Sequence, residues 1–180
     1  HCLDLDDARL APLADVAREL SVVVVVGGAV RRPAGQHTLS LLVFATEGQK
    51  RRWAVPVLRG DMSAALGMSE PDAGSAVTEL KTSARFDGDQ VVINGSKVFS
   101  THSPEAGLFL VYVRFGPGVG GIGSVLVERG TPGFDVGAPS AFMSGETWSP
   151  LYFENCRIPR ANVLLGEGGF KKQISGFNVE

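Results

Sequence analysis

Leu80-Lys81-Thr82-Ser83-Ala84-Arg85-Phe86-Asp87-Gly88-Asp89-Gln90-Val91-Val92-Ile93-Asn94-Gly95 is the stretch on which the fold turns. From Leu80 to Phe86, Leu, Thr, Ala and Phe alternate with polar neighbours, the period of a strand with one face buried. Asp87-Gly88-Asp89 supplies turn residues and Gln90 to Ile93 resumes with β-branched ones, so a hairpin is predicted. Asn94-Gly95 predicts a second turn, into a strand from Lys97 to Thr101.

The same texture continues downstream. Leu108 to Phe115 and Gly123 to Glu128 read as strands across a glycine-rich loop, and Leu151 to Phe153 and Arg157 to Ile158 as later ones. Strands at regular spacing imply a sandwich or barrel. Gly166-Glu167-Gly168-Gly169 then reads as a loop entering a helix that runs off the end of the chain.

Upstream the texture is helical. Leu10, Leu13, Val16, Ala17 and Leu20 recur at helical spacing within Leu3 to Leu20. Val22 to Val26 fits a strand or a buried helix equally. After a break at Arg31 to Gly35, Leu39 to Phe44 and Glu47 to Trp53 are predicted as helices, the second ended by Pro56. The expected fold class is α+β: a partial helical N-terminal domain over residues 1–62, an antiparallel β-barrel or sandwich domain over 63–170, and the start of a helix over 171–180.

Composition narrows the function. The chain has 180 residues, 44% of them hydrophobic, enough for one good core and part of a second. A net charge of −2 with mixed signs gives no reason to expect nucleic acid or an anionic membrane as partner. Cys2 and Cys156 lie far apart and outside any CxxC spacing, so neither a disulfide framework nor a zinc site is expected, and a reducing, cytoplasmic setting fits. His1, His37 and His102 are isolated, and no metal is expected. The apolar run Val22 to Val30 is well short of the about 20 residues that span a bilayer.

Several short motifs have plain readings. Gly118-Val119-Gly120-Gly121-Ile122-Gly123 satisfies GxGxxG, but a dinucleotide site needs a helix after it and a strand is predicted. Gln49-Lys50-Arg51-Arg52-Trp53 reads as a solvated helix face rather than a nucleic-acid patch, and Asn94-Gly95-Ser96 as a turn rather than a glycosylation acceptor. Met68-Ser69-Glu70-Pro71-Asp72-Ala73-Gly74-Ser75 is also turn composition, yet its backbone amides and the Ser69 and Ser75 hydroxyls could bond a polar ring edge or a phosphate, with Gly74 allowing close approach. The second candidate segment is Asn94 to Thr101, a strand ending in an aromatic followed by two hydroxyl residues.

Taken together and in this order, these segments resemble the acyl-CoA dehydrogenase family: a TEPxxGSD-like loop at Ser69 to Ala76, a DGDxxxxNGxKxxIT-like hairpin at Asp87 to Thr101, Pro132-Gly133-Phe134, and an FxxCRVPxxNxLG-like stretch from Phe153 to Gly166. The resemblance runs from about Gly48 to Phe170. It implies the middle β-domain of such a protein, with part of the N-terminal helical domain before it and the C-terminal four-helix domain absent.

The family's activity is FAD-dependent desaturation of an acyl-CoA thioester to a trans-2-enoyl-CoA, a Glu taking the α-proton while hydride passes to flavin N5. That Glu lies in the family's C-terminal domain, so no catalytic residue is assigned here, and Glu70, Glu146 and Glu154 read as loop or surface residues. By resemblance, Leu66, Met68, Ser69, Phe99, Ser100 and Thr101 would bind the FAD and Ser75 would meet the CoA moiety, with Ser69 at the pyrimidine side, Phe99 against the ring system and Thr101 near N5. The implied partners are an acyl-CoA, electron-transfer flavoprotein or a similar acceptor, and further copies in a homodimer or homotetramer; the implied setting is fatty-acid metabolism. Same-fold monooxygenases or oxidases and non-catalytic partner subunits share these features. Ala76 stands where the family has Asp, Ser100 where it has a bulky apolar residue, and Ser144 to Pro150 departs from GxRxSxT.

Overall fold

The hairpin centred on Asp87-Gly88-Asp89 is present in the computed structural model, which describes residues 26–31, 37–42 and 46–170. Strand β4 (Ser83–Asp87) pairs antiparallel with β5 (Gln90–Thr101), Asp87 opposite Gln90, and Gly88 takes the turn at φ +60. Asn94-Gly95 does not turn, contrary to the expectation. Strand β5 continues unbroken through it for 12 residues. Its neighbour β10 (Thr147–Pro159) carries an irregularity there, the register jumping between Phe153 and Cys156, and Asn94 Oδ1 accepts the Asn155 N–H at 2.8 Å. Gly95 sits at φ +143 with the Thr82 Cα only 2.7 Å from where a Cβ would stand. The pair therefore marks a kink against a bulge, another use of the same backbone freedom.

The described residues from Ser63 onward form one compact unit. Its sheet of nine strands has the order β11-β7-β6-β4-β5-β10-β8, with β3 against β6 and β9 against β10. The remaining strands are β3 (Ala64–Gly67), β6 (Leu108–Arg114), β7 (Ile122–Glu128), β8 (Phe134–Val136), β9 (Ser140–Ala141) and β11 (Val163–Leu165). The expected antiparallel character holds for most pairs; β3 instead joins β6 in parallel, Ala64 opposite Leu108 through Gly67 opposite Val111, and β4 touches β6 in parallel at Ser83 and Arg114. Parallel pairing needs a long crossover. Here it is supplied by the loop after Gly67, the β4–β5 hairpin and the turn after Thr101.

Leu108 to Val113 is buried on both faces, as its unbroken apolar run implies. Phe109, Val111 and Val113 join Ala84, Val91, Ile93, Val125, Val127, Leu151, Phe153, Cys156 and Ile158 in the main core. Phe109 of β6 meets Phe134 of β8 edge-on at 4.8 Å, and Phe134 stacks on Phe153 at 4.9 Å. Strands four places apart in the sheet order thus touch through their rings, so the sheet curls around its core. The opposite face of β6 and β7 packs Tyr112 and Ile122 with Ala73, Leu80 and Phe170.

The residues up to Met62 fall in a separate unit. Strands β1 (Val26–Arg31) and β2 (His37–Leu42) form an antiparallel hairpin, which corrects the helix expected from Leu39: in His37-Thr38-Leu39-Ser40-Leu41 the apolar positions alternate with period two. The helical stretch at Glu47 is present as an α-helical turn Glu47–Gln49, a π-helical segment Lys50–Ala54 and an α-helix Val55–Arg59. Thr46 and Gln49 cap it reciprocally at 3.1 and 3.2 Å. Pro56 does not end the helix; it stands at the start of the last segment, directly after the π-helical turn, and Gly60 at φ 80 closes it. The helix expected within Leu3–Leu20 and the one expected over 171–180 lie outside the described residues. Among the described residues, no helix is long and apolar enough to cross a membrane.

Candidate functional site

Beyond Gly67 the chain leaves the sheet edge and folds a loop back over the second face. Leu66 and Met68 are half-buried against the Ala73, Leu80, Tyr112, Ile122 and Phe170 cluster. Glu70 and Ala73 exchange both backbone hydrogen bonds, at 3.0 and 3.1 Å, around Pro71-Asp72. Gly74, Ser75 and Ala76 are exposed, with open space around Gly74. Arg114 fixes the far side of the loop, donating to the carbonyls of Thr78 at 2.6 Å, Leu80 at 2.8 Å and Gly118 at 2.7 Å.

The loop is tied to β5 by a buried ion pair. Lys97 Nζ, fully enclosed, donates to Glu70 Oε1 at 2.8 Å and to the Met68 carbonyl at 3.2 Å. Glu70 also accepts the backbone N–H groups of Lys81 at 2.6 Å and Thr82 at 2.9 Å. One residue further along β5, the Val98 N–H donates to the Ser69 carbonyl at 2.9 Å. Gly67 makes room for this: a Cβ there would stand 3.3 Å from Lys97 Cγ and 3.1 Å from Leu151 Cδ1. Burial pushes the Lys97 ammonium down to about 8, against the hydrogen bond and charge of Glu70. For Glu70 burial acts to raise the carboxyl, but the hydrogen bonds from Lys97, Thr82 and Lys81 outweigh it and hold the group below its usual range.

Glu70 lies in the loop, as expected, but is buried there rather than at the surface, at 6% exposed. Glu146 and Glu154 are exposed, as expected. The pair had a signal in the sequence, since Lys97 lies on the same parity of β5 as the core residues Val91 and Ile93. A lysine on an inward position requires a carboxylate partner, and the adjoining loop offers two, Glu70 and Asp72, of which Glu70 is the one that turns inward.

The two segments singled out by sequence are therefore brought together, Ser69 bonding to Val98 and Phe99 following at once. Phe99 is 58% exposed and adopts φ 55, a left-handed backbone uncommon for a bulky residue. Ser100 points inward, 1% exposed, and its Oγ has no hydrogen-bond partner among the described residues. Thr101 is half-buried opposite Trp148 of β10. Ser75 lies on the exposed outer part of the loop, away from this junction in sequence and free of the ion-pair cluster. Trp148 packs on Phe99 at 4.8 Å and 54°, and Phe142 on Trp148 at 6.0 Å and 30°. Reading the Ser144 to Pro150 segment only as a departure from a pattern gave no hint of this aromatic.

The glycine-rich stretch Gly118 to Gly123 is a 3-10 turn, Val119–Gly121, that enters β7, so no helix N-terminus opens there. No group of three or more His, Cys, Asp or Glu residues that could hold a metal ion occurs among the described residues. The arrangement is a hydroxyl-bearing loop and a strand end clamped side by side, presenting one aromatic ring outward. Such a junction suits a planar ligand with a polar edge.

A family profile described as Acyl-CoA dehydrogenase, middle domain, matches residues 65–156, about half of the chain. The mitochondrial isovaleryl-CoA dehydrogenase of Pongo abelii is 34% identical over 164 residues, covering 85% of this chain and 39% of that protein. An acyl-CoA dehydrogenase of Bacillus subtilis is 33% identical over 147 residues, covering 79% and 39%. The solved structure of butyryl-CoA dehydrogenase from Megasphaera elsdenii is similar with a TM-score of 0.69 and 33% identity, over 74% of this chain and 36% of that one. The chain spans roughly two fifths of the length of these relatives.

Proposed function

The chain belongs to the acyl-CoA dehydrogenase family, and from that premise we propose that it forms the middle β-domain of an FAD-dependent dehydrogenase that desaturates an acyl-CoA thioester to a trans-2-enoyl-CoA. The observation that carries this reading is the clamped junction of Ser69 with Val98 and Phe99. The residues fit a flavin on a feature of the structure itself: Phe99 turns 58% of its surface outward on a strained backbone, beside the half-buried Ser69 and Thr101. A strained, exposed aromatic persists where its surroundings hold it for a ligand.

In this reading Phe99 offers its face to the ring system, Ser69 and Thr101 offer hydroxyls to its polar edge, and Leu66 and Met68 support the loop from beneath. Ser100, its side chain turned inward, contributes through its main chain. Ser75, on the open part of the loop, meets the CoA moiety. The flavin, when bound, supplies the acceptor for the substrate's β-hydrogen. This chain's own residues bind and orient; the base that takes the α-proton is assigned to none of them. Electron-transfer flavoprotein or a similar acceptor, and further copies of the chain, complete the proposed assembly, in a reducing, cytoplasmic setting.

Purified full-length protein tests this directly. It should be yellow, and its visible flavin absorbance should bleach on anaerobic addition of an acyl-CoA and recover with an electron acceptor. A colourless protein that binds neither FAD nor acyl-CoA would refute it.

A further inference from the structure

The aromatic opposite Thr101 is held more firmly than a rim residue needs to be. Trp148 faces Thr101 across the β5–β10 ladder and Ser140 across the β9–β10 ladder. The Thr147 carbonyl on one side of it accepts the His102 N–H at 2.8 Å, and the Ser149 N–H on the other donates to Ser103 Oγ at 2.8 Å. Its backbone is fixed from both sides. Phe142, whose ring lies 6.0 Å from that of Trp148, sits on a hairpin closed by Phe142 N–H to the Glu146 carbonyl at 2.8 Å and Gly145 N–H to the Phe142 carbonyl at 2.9 Å.

Phe99, in contrast, projects from a left-handed residue, and its exposed ring meets Trp148 at 4.8 Å. A ring on such a backbone has few neighbours to set its tilt, and Trp148 is the aromatic that touches it. We propose that Trp148 is a positioning residue for the flavin: it sets the plane of the Phe99 ring and, with Phe142, widens one exposed aromatic into a three-ring wall. The proposal rests on the flavoprotein reading above and adds to it a residue that the resemblance does not assign. An indole at this position gives the wall its area, because rings at 4.8 and 6.0 Å lie within the range in which aromatic pairs orient one another.

The test uses the full-length protein as parent, Trp148→Leu, Trp148→Phe and, as a packing control in a separate ring pair, Phe86→Leu, whose ring stacks on Phe115 at 5.1 Å. Flavin dissociation constants, the shape of the visible flavin band and apo-protein melting are measured for each. Trp148→Leu should weaken flavin binding about tenfold or more and alter the band, with apo melting moved no further than in the control, while Trp148→Phe stays within about threefold. Flavin bound by Trp148→Leu within about twofold of parent, with an unchanged band, overturns the proposal. Fluorescence gives a second readout that does not depend on the Leu variant folding: tryptophan emission quenched on flavin binding should be largely lost from Trp148→Phe, and equal quenching in both proteins overturns it as well. If the parent binds no flavin, the flavoprotein reading itself falls, an outcome distinct from a parent that binds flavin indifferently to Trp148.

Discussion

Replacing Lys97 by Met removes one half of a buried ion pair and leaves the Glu70 side chain, 5% exposed, charged and enclosed. Removing one partner of such a pair costs about 3–5 kcal/mol. The Lys81 and Thr82 N–H groups remain on the carboxylate, which places the loss near the lower end, while the Met68 carbonyl loses its donor, worth about 1 kcal/mol. The expected total is about 3–4 kcal/mol, a large share of the roughly 5–15 kcal/mol that holds a domain folded. Making Glu70→Gln in the same chain removes the stranded charge and should restore about 2 kcal/mol. Urea titration of parent, both single variants and the double variant gives the cycle. Amide exchange adds the link to the site: the Val98 N–H, bonded to the Ser69 carbonyl, should exchange faster in Lys97→Met as the loop comes free. A Lys97→Met protein within about 1 kcal/mol of parent, or a double variant no better than the single, would show that the pair does not clamp the loop.

Further expectations follow from neighbouring features. Because the Glu70 carboxyl is held below its ordinary value of 4.5, its contribution is fully present above that pH and lost as pH falls through the folded value; Glu70→Gln should flatten the acid limb of a stability-versus-pH curve, and an unchanged limb would contradict the hydrogen-bond set. The Lys97 ammonium should titrate near 8 rather than 10.5 when followed by carbon NMR of its terminal methylene. Gly95→Ala puts a Cβ at φ +143 against the Thr82 backbone at 2.7 Å, and should cost more than about 2 kcal/mol in denaturant unfolding. Burial pushes the Cys156 thiol up to about 11, so it should resist a thiol reagent at neutral pH until the protein is unfolded; prompt labelling would place it elsewhere than in the core.

How much of this was legible varies along the chain for physical reasons. The β4–β5 hairpin was readable from its Asp87-Gly88-Asp89 turn, and β6 and β7 because unbroken apolar runs report burial on both faces. Asn94-Gly95 misled because its signal is a backbone conformation, and a bulged strand uses the same conformation as a turn. The run from Leu39 misled through composition, since leucines favour helices while their spacing there has the period of a strand. Pro56 misled because the π-helical turn Lys50–Ala54 just before it lets the helical chain pass a proline without stopping. At the site, Ser69 and Phe99 stood out by residue type and by the family pattern. Of the Glu70–Lys97 pair only the inward parity of Lys97 was legible; its partner depends on which inward position of β5 faces the loop, a tertiary relation. Trp148 was silent for the same reason: its role depends on lying across a ladder from Thr101, 47 residues away in sequence.

The pairing of β5 with β10 also has a consequence for synthesis. Strand β5 ends at Thr101, and the strand that covers its second edge is complete only at Pro159. At the about 5–20 residues per second of translation, that edge waits ~3–12 s for its neighbour. During that interval the newborn chain carries, along one edge of this 12-residue strand, the unpaired amides and carbonyls of every second residue beside Val91 and Ile93, a template for mispairing with another nascent copy. A chaperone that shields this one edge until Pro159 emerges would raise the soluble yield more than any aid given to the hairpin that precedes it.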